Sequence, residues 1–505
     1  GINAVSVQIF NTYPDPPKYD NVTDFLRRCA EHGIYVNLAL VSNPTEPDFR
    51  DRYEFWLPII RELRLPEHRN LFAYDIHWEP TWLDPGYRKQ FDGDWEEWLC
   101  DRYGSVEAAE KTWGCSVTRD GEGRITNPDV PTVHRDSSKR GEALAYRRFL
   151  EYECYKKYRL ARDLYREADP NHLVSFRMHA AGDVCSWYGL LPYSFYYLGK
   201  AVDFFAPEAY AMGTTWDDHI RTGAFTRAIA EMSAPESPMV YAEVGYKTIE
   251  GDHPYVTEQG LEKQAQYFAD FYRMLIEGGV NGVFWWFWPG GYRVLEGSDY
   301  GIINPDDSDK PVTRVIREMG PRFLASPSFE PGCRLTVDTS KNVDYTDAMM
   351  LYNQVEDRYP ALFAAGKRPG LRAEAQGTDT RTCNYVSVTN DPFVPGALNP
   401  PKYVDGAFDS VRLKGKMLEK GASVSEGSLL EVTVANLNEA AWLDGGGEGS
   451  VQLTANGRAY PLPRPVKTGE RVTLTVKAEG KGKLELRLAA KERCPFGEVF
   501  ALTVE

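Results

Sequence analysis

Two glutamates sit where apolar runs of the chain come to an end: Glu79 in AYDIHWEP (residues 73–80) and Glu243 in YAEVGY (residues 241–246). Proline has no N–H for a ladder and pushes the residue before it toward extended geometry, so Pro80 predicts a strand end with Glu79 at its lip. Two carboxyl groups brought to one place can share the work of breaking a glycosidic bond. One protonates the leaving oxygen, the other attacks the anomeric carbon, and water then resolves the glycosyl-enzyme. Retention of configuration asks for a carboxyl separation of about 5–5.5 Å, inversion for about 6.5–9.5 Å.

Side chains alternate along a strand, so Asp75, His77 and Glu79 are expected on one face, and Met239, Tyr241 and Glu243 on another. Burial and hydrogen bonding on such inward faces can drive the proton affinities of two carboxyls apart. Other strand ends supply substrate-binding candidates. Tyr210 closes VDFFAPEAY, and Glu208 is two residues earlier on the same face, a stand-in for Glu243 if the strands are displaced. His179, closing HLVSFRMH, and His77 can meet sugar hydroxyls, with Trp78 beside His77. Trp286 and Trp288 of FWWFWPGGY share a face on which the CH side of a sugar can pack. Asn11, Trp216 and Tyr292 fall in or next to strand-end loops.

The elements that must position these groups follow from the hydrophobic rhythm. Seven β-rich runs are expected as strands: 2–10, 33–40, 70–79, 172–179, 202–210, 238–246 and 281–288. Amphipathic stretches such as NVTDFLRRCAEHG and TEQGLEKQAQYFADFYRMLIEGG lie between them, the pattern of repeated βα units around a parallel sheet. Residues 1–325 therefore read as an α/β domain, a (β/α)8 TIM barrel with a long insertion at 81–145. Seven strands leave it one short, and because the chain opens abruptly on GINAVSVQIF the expectation is that the first βα unit precedes Gly1. Residues 331–404 read as a small α/β subdomain, and 405–505, with short alternating strands and turn signals, as a β-sandwich.

At 505 residues the chain exceeds one ordinary core. Its 58 Lys and Arg against 73 Asp and Glu give a net charge of -15, which speaks against nucleic acid or an anionic membrane as partner; carbohydrate is the partner expected from the carboxyl pair. The 12 Trp and 30 Tyr offer the flat faces that sugars stack on. The 8 cysteines are scattered without metal-ligand spacing, so free and mostly buried thiols are expected, with no metal and no cofactor. No apolar run is long enough to span a bilayer, and because a βα unit is expected ahead of Gly1 the lack of a signal peptide there says little, so location stays open with the cytoplasm slightly favoured.

The order of these motifs resembles clan A of the retaining glycoside hydrolases. Their barrels carry the acid/base Glu at the end of strand four, usually within Asn-Glu-Pro, and the nucleophile Glu at the end of strand seven. With one strand restored ahead of Gly1, Glu79 and Glu243 fall on those positions. A narrower likeness, carried by Trp98, Leu99, Tyr103, Gly104, Trp113 and Gly114 in DWEEWLCDRYGSVEAAEKTWG, is to the family-42 β-galactosidases. The resemblance implies a retaining β-glycosidase with exo activity, and a homo-oligomer, a trimer in that family. An endo-acting polysaccharide hydrolase of the same clan and a catalytically inactive carbohydrate-binding barrel are the alternatives. Two positions depart from the clan pattern: Trp78 stands where Asn usually precedes the acid/base, and Ser6 where strand two usually carries Arg.

Overall fold

A computed structural model of the chain describes residues 2–10, 20–41, 49–80, 82, 84–113, 115–129, 139–179, 193–210, 212–249, 255–338, 348–374, 406–436, 442–446, 450–466, 470–491 and 494–505. They divide into two compact units. The first comprises Gly1–Trp82, Leu150–Leu335 and Thr346–Leu371, the second Leu83–Phe149, Thr336–Tyr345 and Arg372–Glu505.

In the first unit β1 (Ala4–Phe10) and β2 (Tyr35–Val41) are β-branched and apolar runs that pair in parallel, in unbroken register from Ala4 opposite Tyr35 to Phe10 opposite Val41. The amphipathic α1 (Asp20–Glu31) joins them and ends at Gly33, whose φ of 67° is cheap only for glycine. β3 (Leu71–Asp75) pairs with β2, and β4 (Leu173–Ser175) with β3. Beyond β4 the ladder thins to single parallel bridges, Met178 to Pro207, Phe205 to Met239 and Glu208 to Glu243. Pro207 cannot donate, which fits a strand position held by bridges rather than a ladder. β5 (Val240–Val244) then pairs with β6 (Gly282–Trp285). All seven expected strand runs thus contain parallel pairing, though the ladders stop earlier than expected, at Asp75 and Ser175.

Helices cover the outside of these strands, among them α2 (Phe49–Glu54), α3 (Arg140–Ala168) and α4 (Glu258–Gly278). Thr257 caps α4, its hydroxyl accepting from Gly260 N at 3.0 Å. Ala73, Phe204, Ala206, Val240, Ala242 and Phe284 form a continuous apolar cluster between the strands.

The second unit contains two sheets, ordered Lys416–Met417, Gly406–Leu413, Leu429–Asn436, Arg471–Lys477 and Ser423–Val424, Cys494–Val504, Gly482–Ala490, Val451–Ala455, Arg458–Pro461. Alternation of period two gives each sheet one apolar face. Leu430, Val432 and Val434 stand opposite Val476, Leu474 and Val472, and these bury one common core with Leu453, Leu484 and Leu486. In the same unit, Trp95 stacks on Trp98 at 5.4 Å and meets Tyr146 edge-on at 5.1 Å.

The cysteines depart in part from expectation: Cys29 and Cys154 are free and buried, whereas Cys100 is exposed and Cys115 and Cys333 are half-buried. No helix among the described residues is long and apolar enough to cross a membrane. Leu486 is fully buried between the two C-terminal sheets. Leu486→Ala is expected to cost about 2–5 kcal/mol, read as a lowered urea midpoint; a loss well below 1 kcal/mol would mean that the site collapses around the shorter side chain.

Candidate active site

The described strands deliver their polar residues at their C-terminal ends, the position at which loops of such a barrel enclose a cleft. Glu79 follows β3, Arg177 follows β4, Glu208 lies on the bridged segment, and Glu243 is the penultimate residue of β5. Trp78, Glu79, Tyr210, Glu243, Trp286, Glu296 and Tyr300 line one pocket of about 290 Å³.

Arg177 is the centre of this group. It is buried, and long charged side chains are buried only when paired. Its Nη1 donates to Glu243 Oε2, its Nε to Asp75 Oδ2 at 3.2 Å, and its Nη2 to Ser6 Oγ at 3.2 Å. The guanidinium also lies 3.5 Å from the Trp78 ring centroid, a cation–π contact. The short Ser6 side chain leaves the guanidinium room to reach across from β4. Burial opposes Arg177's charge, and Asp75, Glu243 and Glu208 outweigh that and hold its proton more tightly than usual.

The other oxygen of Glu243 accepts from Tyr210 Oη at 2.6 Å. Burial pushes the Glu243 carboxyl up to about 7, against the downward pull of Arg177 and the Tyr210 hydroxyl, and Glu79 adds to the rise. Tyr210 is raised as a phenol by burial and then by Glu243, so it remains a donor. Glu208 is fully buried, 3.9 Å from Arg177 Nε and 3.6 Å from His179 Nδ1, and its carboxyl is raised well above the usual range by burial, then by Glu243 and Glu79. Glu79, His179 and Glu208 each bring a ligand atom within 4.8 Å of the others, the one such His/Cys/Asp/Glu group found among the described residues.

Strict alternation fails at both strand ends, and each failure has a local cause. Asp75 faces Arg177, but β3 ends there, and His77 turns toward the helices: its Nε2 is 2.9 Å from Arg52 Nη1 on α2 and its Nδ1 2.9 Å from Tyr158 Oη on α3. Burial, then Arg52 and Lys157, hold the His77 ring well below its usual pKa, hence neutral. His77 is therefore a packing residue rather than one sharing a face with Asp75 and Glu79. Glu79 is not in the extended geometry expected before Pro80; its φ is 43°, a left-handed conformation that few non-glycine residues adopt. Pro80 O accepts from the Tyr193 hydroxyl, which fixes the chain just beyond it.

On β5, Tyr241 faces outward, its ring 5.1 Å from Phe271 of α4, while Val240 and Ala242 belong to the apolar cluster. Glu243 would follow Tyr241 outward but for a register irregularity between Tyr241 and Val244, across which it comes to line the pocket. Such bulges re-aim side chains. The expectation of one common face for Met239, Tyr241 and Glu243 is corrected accordingly.

The family model described as Beta-galactosidase, of glycoside hydrolase family 42, matches residues 16–320. The chain belongs to this family. Family 42 makes it a β-glycoside hydrolase on a TIM barrel, with carbohydrate as its substrate class. Among solved structures it is similar to the cold-adapted β-galactosidase of Rahnella sp. R3, with 13% identity, TM-score 0.57, and coverage of 99% of this chain and 92% of that one. The β-galactosidase of Bacillus circulans sp. alkalophilus gives 14%, 0.56, 100% and 93%, and that of the haloarchaeon Halorubrum lacusprofundi 15%, 0.53, 95% and 83%. At such identities the likeness is one of fold. No curated protein matches the chain.

Of the residues singled out in the sequence of this family-42 hydrolase, Glu79, Glu243, Tyr210, Trp78 and Trp286 share the pocket. Glu208 and His179 stand beside Glu79. Trp288 is 56% exposed and outside the pocket lining, as is Tyr292. Trp216 instead carries the Arg273 guanidinium 3.8 Å from its ring centroid. Asn11 lies outside the described residues. Sequence reasoning missed Arg177, Glu296 and Tyr300. Arg177 had a signal, a long cation inside the apolar run HLVSFRMH; Glu296 and Tyr300 sit in an irregular loop and had none. Glu296 fixes Trp286, accepting from its Nε1 at 3.3 Å.

Replacing Arg177 by Met leaves Asp75 and Glu243 buried without their cation. Unfolding is expected to become about 3–5 kcal/mol easier, measured by chemical denaturation, with Arg177→Lys recovering only part because an ammonium lacks the guanidinium fork. A loss below about 1 kcal/mol would mean that the carboxyls take up protons instead.

Proposed function

We propose that this family-42 enzyme is a retaining, exo-acting β-glycosidase of β-galactosidase type, with Glu79 as acid/base and Glu243 as nucleophile. The observation that carries this reading is the unequal setting of two carboxyls in one pocket. Glu243, with 7% of its side chain exposed, has each oxygen held by a donor, Arg177 or Tyr210. Glu79, with 35% exposed, faces the pocket beside it.

In the first step a Glu243 oxygen attacks the anomeric carbon as the glycosidic C–O bond breaks, and Glu79 gives its proton to the leaving oxygen. In the second, the Glu79 carboxylate takes a proton from water, which attacks the same carbon and frees Glu243. Asp75 keeps Arg177 paired while Glu243 is an ester and carries no charge. Trp78 and Trp286, 6.3 Å apart at 64°, offer apolar faces to the sugar, and a pocket of this size favours action at a chain end. β-Galactosidase activity in the three structural relatives supports galactose as the glycone. The domain assignment that goes with this function is a catalytic barrel over 1–325 with its insertion at 81–145, a small α/β subdomain over 331–404 and a β-sandwich over 405–505.

Because Glu243 must be ionised to attack, kcat/KM on an aryl β-galactoside is expected to rise as pH climbs through about 7. An acid limb lying several units lower would assign that limb to another group. Glu243→Gly is expected to lose turnover and to regain it with azide, yielding the α-glycosyl azide. Glu79→Ala is expected to lose about 10²- to 10⁴-fold on substrates with poor leaving groups, and azide should give the β-glycosyl azide. The opposite pairing of variants and products would exchange the two roles.

A further inference from the structure

The site holds one more acidic group than double displacement uses. Glu208 is fully buried, and neither of its oxygens accepts a hydrogen bond from a protein donor. Its neighbours account for this. Arg177 is spent on Glu243, Asp75 and Ser6 and stays 3.9 Å away. His179 Nδ1, at 3.6 Å, is beyond hydrogen-bond reach. The carboxyl of Glu79 is close by, one of its oxygens lying within 4.8 Å of a Glu208 oxygen. Two carboxyls can share a hydrogen bond only if one of them carries the proton.

The charges decide which one. Asp75, Glu208 and Glu243 surround the Arg177 guanidinium and Glu79 stands beside Glu208, with His179 as the further ionisable base near Glu208 among the described residues. The bridge between Glu208 and Glu243 brings the two segments side by side, so a charge on Glu208 would oppose the charge that Glu243 needs. Glu79 opens to the pocket, whereas Glu208 has no solvent to support a charge.

We propose that Glu208 is held as an uncharged carboxylic acid whose O–H is donated to Glu79, making it a positioning residue for the acid/base. Burial beside Glu243 and Glu79 favours its protonated form. The donated bond ties down one Glu79 oxygen and leaves the other to face the leaving group and then water. The proton on Glu208 stays there throughout the cycle. The inference rests on the reading of Glu79 as acid/base.

The test compares kcat/KM for the 2,4-dinitrophenyl and phenyl β-galactosides, because the first needs no proton at its leaving oxygen and the second does. Glu208→Ala is expected to lose about tenfold to a hundredfold on the phenyl substrate and little on the dinitrophenyl one, and Glu208→Gln, which is neutral and keeps a donor, to lose clearly less than Ala. Equal losses on both substrates, no loss on either, or a Gln variant as impaired as Ala would overturn the proposal. If the Ala variant does not fold, the Gln variant is read alone, and a large uniform loss overturns it. Activity removed by EDTA and restored by a divalent cation would put an ion among Glu79, His179 and Glu208 and likewise overturn an uncharged Glu208. Glu79→Ala run in parallel separates the two readings: a leaving-group-dependent loss there without one at Glu208 rejects this inference alone, and a uniform loss at Glu79 rejects the acid/base assignment itself.

Discussion

One buried guanidinium allows this arrangement of carboxyls to exist. Asp75 and Glu243 come from strands far apart in sequence and meet inside the barrel wall, where neither could stay charged unpaired. Arg177 spans both, braces on Ser6 and lies over the Trp78 ring, so one side chain ties together β1, the end of β3, β4 and β5. The same cation serves architecture and chemistry. The geometry that stabilises the strand ends also orients the oxygen expected to attack.

The departures from the clan pattern gain a physical account from that contact. Ser6 stands where the clan pattern carries an arginine, and the Arg177 guanidinium, from the segment after β4, donates to that serine. Where an asparagine usually precedes the acid/base, Trp78 offers its ring to the same guanidinium and to the pocket. The two substitutions are therefore linked through Arg177. With Trp78 at that position, the aromatic pair Trp78 and Trp286 shapes this side of the pocket.

Much of this was legible in the residues themselves. Apolar runs separated by amphipathic stretches located all seven strand positions, because burial between a packed interior and a helical layer leaves a strong hydrophobic signature. Glu79, Glu243 and Tyr210 were found from their places at strand ends. The orientation of single side chains was harder to read. Alternation holds only while a ladder lasts, and it fails at His77, beyond the end of β3, and at Glu243, beyond an irregularity in β5. Arg177 was overlooked because a cation inside a strand reads as an interruption until its partners, 102 and 66 residues away in sequence, are known. Glu296 and Tyr300 come from irregular backbone, where no period exists to interpret.

The irregularity between Tyr241 and Val244 makes the number of residues in this strand matter as well as their type. Folding of this strand depends on the volumes of Val240, Ala242 and Tyr241, and these tolerate exchange among apolar residues. The direction of Glu243 depends instead on how many residues occupy that short interval. Removing or adding one would turn the carboxylate toward the helical layer and shift the register of Val244 beyond it. In this strand side-chain volume sets the packing, while the number of residues sets where the carboxylate points.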